Sequence, residues 1–338
     1  MSSRHPGRIE GIDLLRGVAV GLVVLRHAFP DVFPGAGVVG VVAFFALSGH
    51  LITGLLVDEV GRTGRIDLLR FYRRRARRLV PPLLVLVAGV VAVTLVLDPI
   101  GDRDRLGDTV LVALTWTADL PVGDPSDATF HLWTLALEEQ FYLVWPALLL
   151  LAVPRRRTGV LLVGAAVACL LACVATVAWL REDPDLAYAL PTSWAVCFVV
   201  GAASRIHADR LRLPSWAAPV ALAGLGVLAV VPLRGHALTY LAGGPAIALL
   251  TAVVLSSWRT WSTVDVAGLR PLVWLGTVSY AAYLWNYPLT VWLRPHTDLA
   301  GPVAAVLTLA CAALSWRYVE APLQRRQQAT RVPAAVSA

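Results

Sequence analysis

The segment His131-Leu-Trp133-Thr-Leu-Ala-Leu-Glu138-Glu139-Gln140-Phe-Tyr142-Leu-Val-Trp145-Pro146 sets two adjacent carboxylates at the head of a run that stays apolar through Leu151. Charge at bilayer depth costs several kcal/mol, so an ionisable residue there marks a functional site by default. A second apolar stretch, 9–29, carries Asp13, Arg16, Arg26 and His27. Arg16 and His27 lie close to three whole helical turns apart, so a helix projects both from one face, roughly 16 Å apart along its axis. Imidazole suits proton transfer because its ordinary pKa is near neutrality and the neutral ring accepts a proton from a hydroxyl. Glu138 or Glu139 would then orient the ring and stabilise its cation. Neighbouring residues sit on different helix faces, so one of the two is expected to point inward; both share a face with Tyr142, which does not choose between them. The bland alternative has Arg16 snorkelling to the inner interface, with His27 and the carboxylates at a wet outer boundary.

Weaker polar features accompany these. Phe44-Phe45-Ala-Leu-Ser48-Gly49-His50 lies within an apolar run; Ser-Gly lets another helix backbone come close, and for Ser48 close packing is the stronger reading. The loop Arg70 to Pro82, with Arg73, Arg74, Arg75, Arg77 and Arg78, acts as a topological anchor and has the chemistry to chelate phosphate; anionic lipid headgroups explain the same cluster. Ser279, Tyr283 and Asn286 recur at i, i+4 and i+7, a polar face that lines a cavity or bonds to a neighbouring helix. Glu320-Ala-Pro322 ends the last apolar run.

The elements that must position these groups are transmembrane helices. The chain is 57% hydrophobic, 15% charged and has a mean hydropathy of +0.68, with runs apolar on every face, which is a polytopic membrane composition. Runs long enough to cross fall at 9–29, 37–57, 80–98, 133–153, 158–180, 190–206, 214–232, 239–258, 271–293 and 300–320; 106–117 is a shorter apolar piece. The expected class is therefore all-α, about ten spans, with both termini cytoplasmic. Residues 1–8 are a short N-terminal segment, 9–320 one membrane domain and 321–338 a disordered tail. All 29 basic residues are arginine, and they concentrate in the loops that this threading puts inside, while Asp31, the 102–127 stretch, Glu182 to Asp185 and Asp298 fall outside, as the positive-inside rule requires. The net charge of +7 follows from those loops and does not argue for nucleic acid. The first apolar run lacks a small-residue cleavage site and carries charge in mid-segment, so it is expected to be retained and not removed as a signal peptide. Cys169, Cys173, Cys197 and Cys311 lie inside apolar runs with neither disulfide nor metal spacing.

In this order the segments resemble the membrane acyltransferase-3 family over nearly the whole chain. The resemblance rests on Gly11-Ile-Asp13-Leu-Leu-Arg16-Gly17 with His27 at an Arg-x10-His spacing, on Phe44 to Gly49, on the arginine segment from Arg73 to Pro81, on Trp133 to Leu143 with Trp145-Pro146, on Ser279-Tyr280 with Tyr283-Leu-Trp285, and on Glu320-Ala-Pro322. It implies acyl transfer, acetyl above all, from acyl-coenzyme A as co-substrate, with no tightly bound cofactor, to a hydroxyl of a glycan, lipid-linked sugar or macrolide-like acceptor at the plasma membrane. It also implies catalytic roles for His27 with Glu138 or Glu139, donor binding by Arg16 and the arginines 73, 74, 75, 77 and 78, and substrate contacts from Ser48, Trp133, Tyr142, Ser279, Tyr283 and Asn286. The sequence departs from the family pattern at Asn286, where Leu-Trp-His is common, and at Trp194, where an arginine often stands. Some members carry an appended esterase-like domain; this sequence shows none and is expected to be of the self-contained form. An acyl-histidine route and direct transfer are both open. The competing class is a transporter, for which halves related by repeat and interrupted helices at matching positions are expected; the sequence shows neither. A non-catalytic scaffold would give no reason for the buried charges.

Overall fold

The computed structural model describes residues 9–153, 155–210 and 212–329, and every regular element among them is helical. Thirteen α-helices follow in order: α1 (Glu10–Ala28), α2 (Ala36–Thr63), α3 (Leu68–Val96), α4 (Leu106–Thr115), α5 (Trp133–Ala152), α6 (Thr158–Trp179), α7 (Pro191–Ile206), α8 (Ala217–Ala229), α9 (Gly244–Trp258), α10 (Arg270–Thr277), α11 (Ser279–Leu293), α12 (Ala300–Ser315) and α13 (Ala321–Ala329). The chain forms two compact units. One comprises the chain up to Ile66 with Trp116–Pro121 and Leu132–Thr277, the other Asp67–Thr115, Val122–His131 and the chain from Val278. The first unit therefore holds α1, α2 and α5 to α10, and the second α3, α4 and α11 to α13.

Each expected span is helical, with differences that have local causes. Six stretches, 36–63, 68–96, 127–152, 158–179, 239–258 and 300–325, are long and apolar enough to cross a bilayer. Of the others, α1 carries Glu10, Asp13, Arg16 and Arg26, α7 and α8 are short, and the ninth expected span is broken at Val278 into α10 and α11. The arginine segment is not a loop. Asp67 accepts from the Arg70 backbone N–H at 2.9 Å and caps a helix that already starts at Leu68; arginine is a good helix former, so nothing between Leu68 and Pro81 interrupts it. The stretch expected as a disordered tail is likewise helical from Ala321 to Ala329. The N-terminal segment 1–8 and residues 330–338 lie outside the described residues.

Within the first unit, helix ends pair as alternating threading requires. Glu10 at the start of α1 accepts from Arg270 and from the Val264 backbone, and Gly11 N–H donates to the Trp261 carbonyl. Arg205 at the end of α7 reaches Asp58 near the end of α2 at 2.7 Å. At the opposite ends, Gly35 N–H donates to the Ala229 carbonyl, and Arg234 grips Asp185 through two bonds of 2.8 and 2.9 Å.

Candidate active site

Two close backbone approaches set the polar residues of the first unit in place. A Cβ on Gly17 would collide with the Leu272 carbonyl, and one on Gly276 with the Asp13 carbonyl, so α1 and α10 touch main chain to main chain at the turn that carries Asp13 and Arg16. Gly49 and Gly201 do the same for α2 and α7, against the Phe198 and Ala46 carbonyls. The packing role read from Ser48-Gly49 is the one the glycine performs. Only glycine leaves room for such contacts.

Helix α1 is unbroken from Glu10 to Ala28, so Arg16 and His27 keep the helical spacing that puts them on one side. Arg16 forms an i, i+3 ion pair with Asp13 at 3.8 Å; the two side chains are 19% and 10% exposed, which makes this a pair held largely away from water. His27 lies half-buried in the last turn of α1.

A second polar cluster joins α2 to α5. Ser48 Oγ donates to Glu138 Oε1 at 2.9 Å, Tyr142 OH donates to Ser48 Oγ at 2.6 Å, and the same phenol oxygen lies 3.2 Å from Glu138 Oε2. Glu138 and Tyr142 are one turn apart on α5, so both address the same point on α2. Ser48 sits twelve residues beyond Ala36, the first residue of α2, or about 18 Å along the helix. Glu138 is thus held at depth and not at the helix mouth. Of the two carboxylates, Glu138 is the one tied to the Ser48–Tyr142 pair; Glu139, next in sequence, is half-buried on an adjacent face. Trp133, buried at the start of α5, packs edge-on against Phe45 and Tyr188. Two neighbours were not anticipated as pairs: Gln140 Nε2 donates to Asp119 at 2.7 Å, and His50 Nδ1 meets Ser204 Oγ at 2.8 Å. Asp119 lies in the turn after α4, and burial pushes its carboxyl above its ordinary range, partly opposed by the bond from Gln140.

The remaining candidates belong to the second unit. On α3, Arg73, Arg77 and Arg78 are exposed and Arg74 and Arg75 half-buried, with the Arg75 guanidinium 6.0 Å from the Phe71 ring centre. The exposed three present donors suited to an anion. Ser279 is buried at the start of α11. Tyr283 OH donates to the His131 carbonyl at 3.0 Å, and Asn286 Nδ2 donates to Thr308 Oγ1 at 3.2 Å, tying α11 to α12.

His131 itself was missed as a working residue, although a signal for it exists. Pro288 inside α11 has no N–H, so the Leu284 carbonyl four residues earlier lacks its helical donor. His131 Nε2 stands 3.1 Å from that oxygen and supplies the hydrogen bond, its ring between those of Tyr283 and Tyr287 at 5.5 and 5.3 Å. The bond requires the proton on Nε2.

An all-helical chain with several helices long and apolar enough to cross a membrane, which holds an Asp–Arg pair largely away from water, a half-buried histidine and a hydroxyl-tied glutamate, fits the class of integral membrane acyltransferases. The chain belongs to that family: the family model described as an acyltransferase domain (Acyl_transf_3) matches residues 9–318. It is similar to the peptidoglycan O-acetyltransferase OatA of Listeria monocytogenes, with 28% identity over 349 residues that cover 94% of this chain and 56% of that protein. It is also similar to the O-acetyltransferase OatA of Staphylococcus aureus, with 26% identity over 356 residues covering 95% of this chain and 58% of that protein. The chain spans rather more than half the length of these relatives. No solved structure matches it.

Proposed function

We propose that this protein is a membrane O-acetyltransferase that moves an acetyl group from acetyl-coenzyme A to a hydroxyl of a cell-envelope glycan or related carbohydrate. The observation that carries the reading is the glutamate held by Ser48 and Tyr142 at depth within a family whose named relatives are O-acetyltransferases, two of them similar along about 95% of this chain. In the proposed reaction the His27 ring takes the proton of the acceptor hydroxyl, whose oxygen attacks the thioester carbonyl carbon. The C–S bond breaks, and coenzyme A leaves as the thiol after taking up a proton. Glu138 stabilises the imidazolium, and its two hydroxyl partners fix the carboxylate's direction so that no reorientation is required at the moment of proton transfer. Arg16, opposed by Asp13, would favour the anionic donor, and the α3 arginines offer bidentate donors to phosphate.

The test is thiol release by the purified protein in nanodiscs supplied with acetyl-coenzyme A and a glycan acceptor. His27→Ala should lower the rate by at least about 100-fold, the usual scale for loss of a general base. Full turnover by a folded His27→Ala protein would remove His27 from the reaction. Passage of an intact solute without thiol release would favour a transporter.

A further inference from the structure

The first unit contains an apolar slot that the reaction above does not use. It lies between α5, α6 and α7, has a cavity volume of about 230 Å³ and is open along one side. That is below the roughly 300–1,000 Å³ of drug-sized sites, the dimension of a narrow slot. On α5 it is lined by Leu137, Phe141, Val144 and Leu148, one stripe of the helix, so it runs about 16 Å along the helix axis. On the opposite walls stand Ala165 of α6 and Ala195 of α7; these small side chains leave the gap. The slot is an elongated, apolar channel within span-forming helices.

Its two ends differ. Gln140 is the one amide side chain in the lining, and it sits near the outer-loop end of α5, where it bonds Asp119. The back wall is an aromatic stack in which Phe141 faces Phe198 at 4.6 Å and Phe198 faces Phe45 at 4.6 Å. Phe45 is one turn from Ser48 on α2, and Phe141 is beside Tyr142 on α5. The same stack that walls the slot therefore backs the Ser48–Glu138–Tyr142 cluster. A glycan entering alone would have to bring its hydroxyls to that depth unaided, at the desolvation cost of every group left unpaired. A glycan on a hydrocarbon anchor can enter sideways from the bilayer, its chain in the slot and its polar head at the Gln140 end.

We infer that the slot between α5, α6 and α7 binds the hydrocarbon anchor of a membrane-anchored, hydroxyl-bearing acceptor. The inference rests on the acyl-transfer reading and narrows it to lipid-linked glycans. The experiment uses alkyl glycosides from butyl to dodecyl as acceptors, with acetyl-coenzyme A and the full chain in nanodiscs, comparing the wild type with Ala195→Phe and Ala165→Trp. The two substitutions fill the slot from different helices, so one remains if the other does not fold. Longer chains also partition more into the bilayer, which raises the wild type and the variants alike; the diagnostic is the loss caused by each variant at each chain length. The loss should be at least tenfold larger for the dodecyl than for the butyl glycoside. An equal loss at all lengths, or none, would overturn the inference while thiol release still upheld acyl transfer. A dodecyl glycoside carrying a diazirine on its chain provides a readout that needs no turnover. Cross-links should map to Phe141, Val144 or Leu148 and be competed by unlabelled dodecyl glycoside. Cross-links at these residues from a diazirine phosphatidylcholine that the glycoside cannot displace would mean ordinary bilayer lipid fills the slot, and the inference would fall.

Discussion

In the unit built on α1, α2 and α5 to α10, several buried or half-buried polar side chains on different elements answer one another: Ser48 and Tyr142 address Glu138, Trp145 donates to Thr53 at 2.8 Å, His50 meets Ser204, and Gln140 meets Asp119, while others, among them Ser193, Trp194 and Ser204, donate to backbone carbonyls. In the unit built on α3, α4 and α11 to α13 the ties between elements go mostly to the backbone. Tyr280 donates to the Leu79 carbonyl, Tyr283 to that of His131 and His131 to that of Leu284; the Asn286–Thr308 and Ser315–Glu320 pairs are the exceptions. One of these ties, His131 to the Leu284 carbonyl, has a covalent origin, although interior prolines are not confined to this unit, since α5 carries Pro146. Helices α3 and α11 contain Pro81, Pro82 and Pro288 in their interiors, and each removes a main-chain donor that a low-dielectric interior must replace. A side chain occupied with a carbonyl holds the fold; one that holds a carboxylate can also serve chemistry.

The largest effect should therefore come from the first unit. Glu138→Ala is expected to lower acetyl transfer by at least about 100-fold, and Ser48→Ala, which removes one donor to an acceptor that keeps its charge, by about tenfold, the kinetic equivalent of about 1.4 kcal/mol. Thiol-release rates on folded variants measure both. Unchanged turnover in Glu138→Ala would make this cluster a packing device of the second unit's kind, and the contrast between the units would lose its functional meaning.

The next effect tests the second unit on stability. His131→Ala leaves the Leu284 carbonyl buried without a donor, a cost of about 1–3 kcal/mol. Pro288→Ala returns an N–H to α11, so in that background the same substitution should cost about 0.5 kcal/mol or less. Thermal unfolding of the two single variants and the double variant completes the cycle. Additive losses would show that His131 acts through something other than the proline-orphaned carbonyl.

How much of this was legible depended on whether the cause was local. The bounds of α1 and α5 follow from the apolar runs that contain them, and the Ser48-Gly49 packing face follows from side-chain size alone. The start of α3 was misread because strong charge suggested a loop, although Asp67 and the arginine-rich stretch behind it are a cap and good helix formers. Glu138 could not be separated from Glu139, because what distinguishes them is Ser48, ninety residues away on another helix. His131 was legible in principle: Tyr287-Pro288 announces an orphaned carbonyl at Leu284, and only the identity of its distant donor needed three dimensions. The break at Val278 had no such marker. The polar face of Ser279, Tyr283 and Asn286 instead continues as helix α11.

The smallest expected effect concerns Asp119, which extends the first unit's pattern of paired side chains into the turn outside the spans. Its side chain accepts from Gln140 yet is buried, and desolvation lifts its pKa above the ordinary value of 3.8. Between that ordinary value and the raised one, the native state binds more protons than the unfolded state, so stability falls as pH rises through the window and stays lower above it. Asparagine keeps an oxygen for Gln140 but has no charge to desolvate. Asp119→Asn should accordingly melt slightly above the wild type at neutral pH, and the advantage should shrink on acidification and vanish once the wild-type carboxyl is protonated in both states. Melting temperatures across an acid-to-neutral series measure it. A difference that did not change with pH would mean the substitution acts through the Gln140 bond and not through the buried charge, and the Asp119–Gln140 pair would then be a structural tie of the second unit's kind.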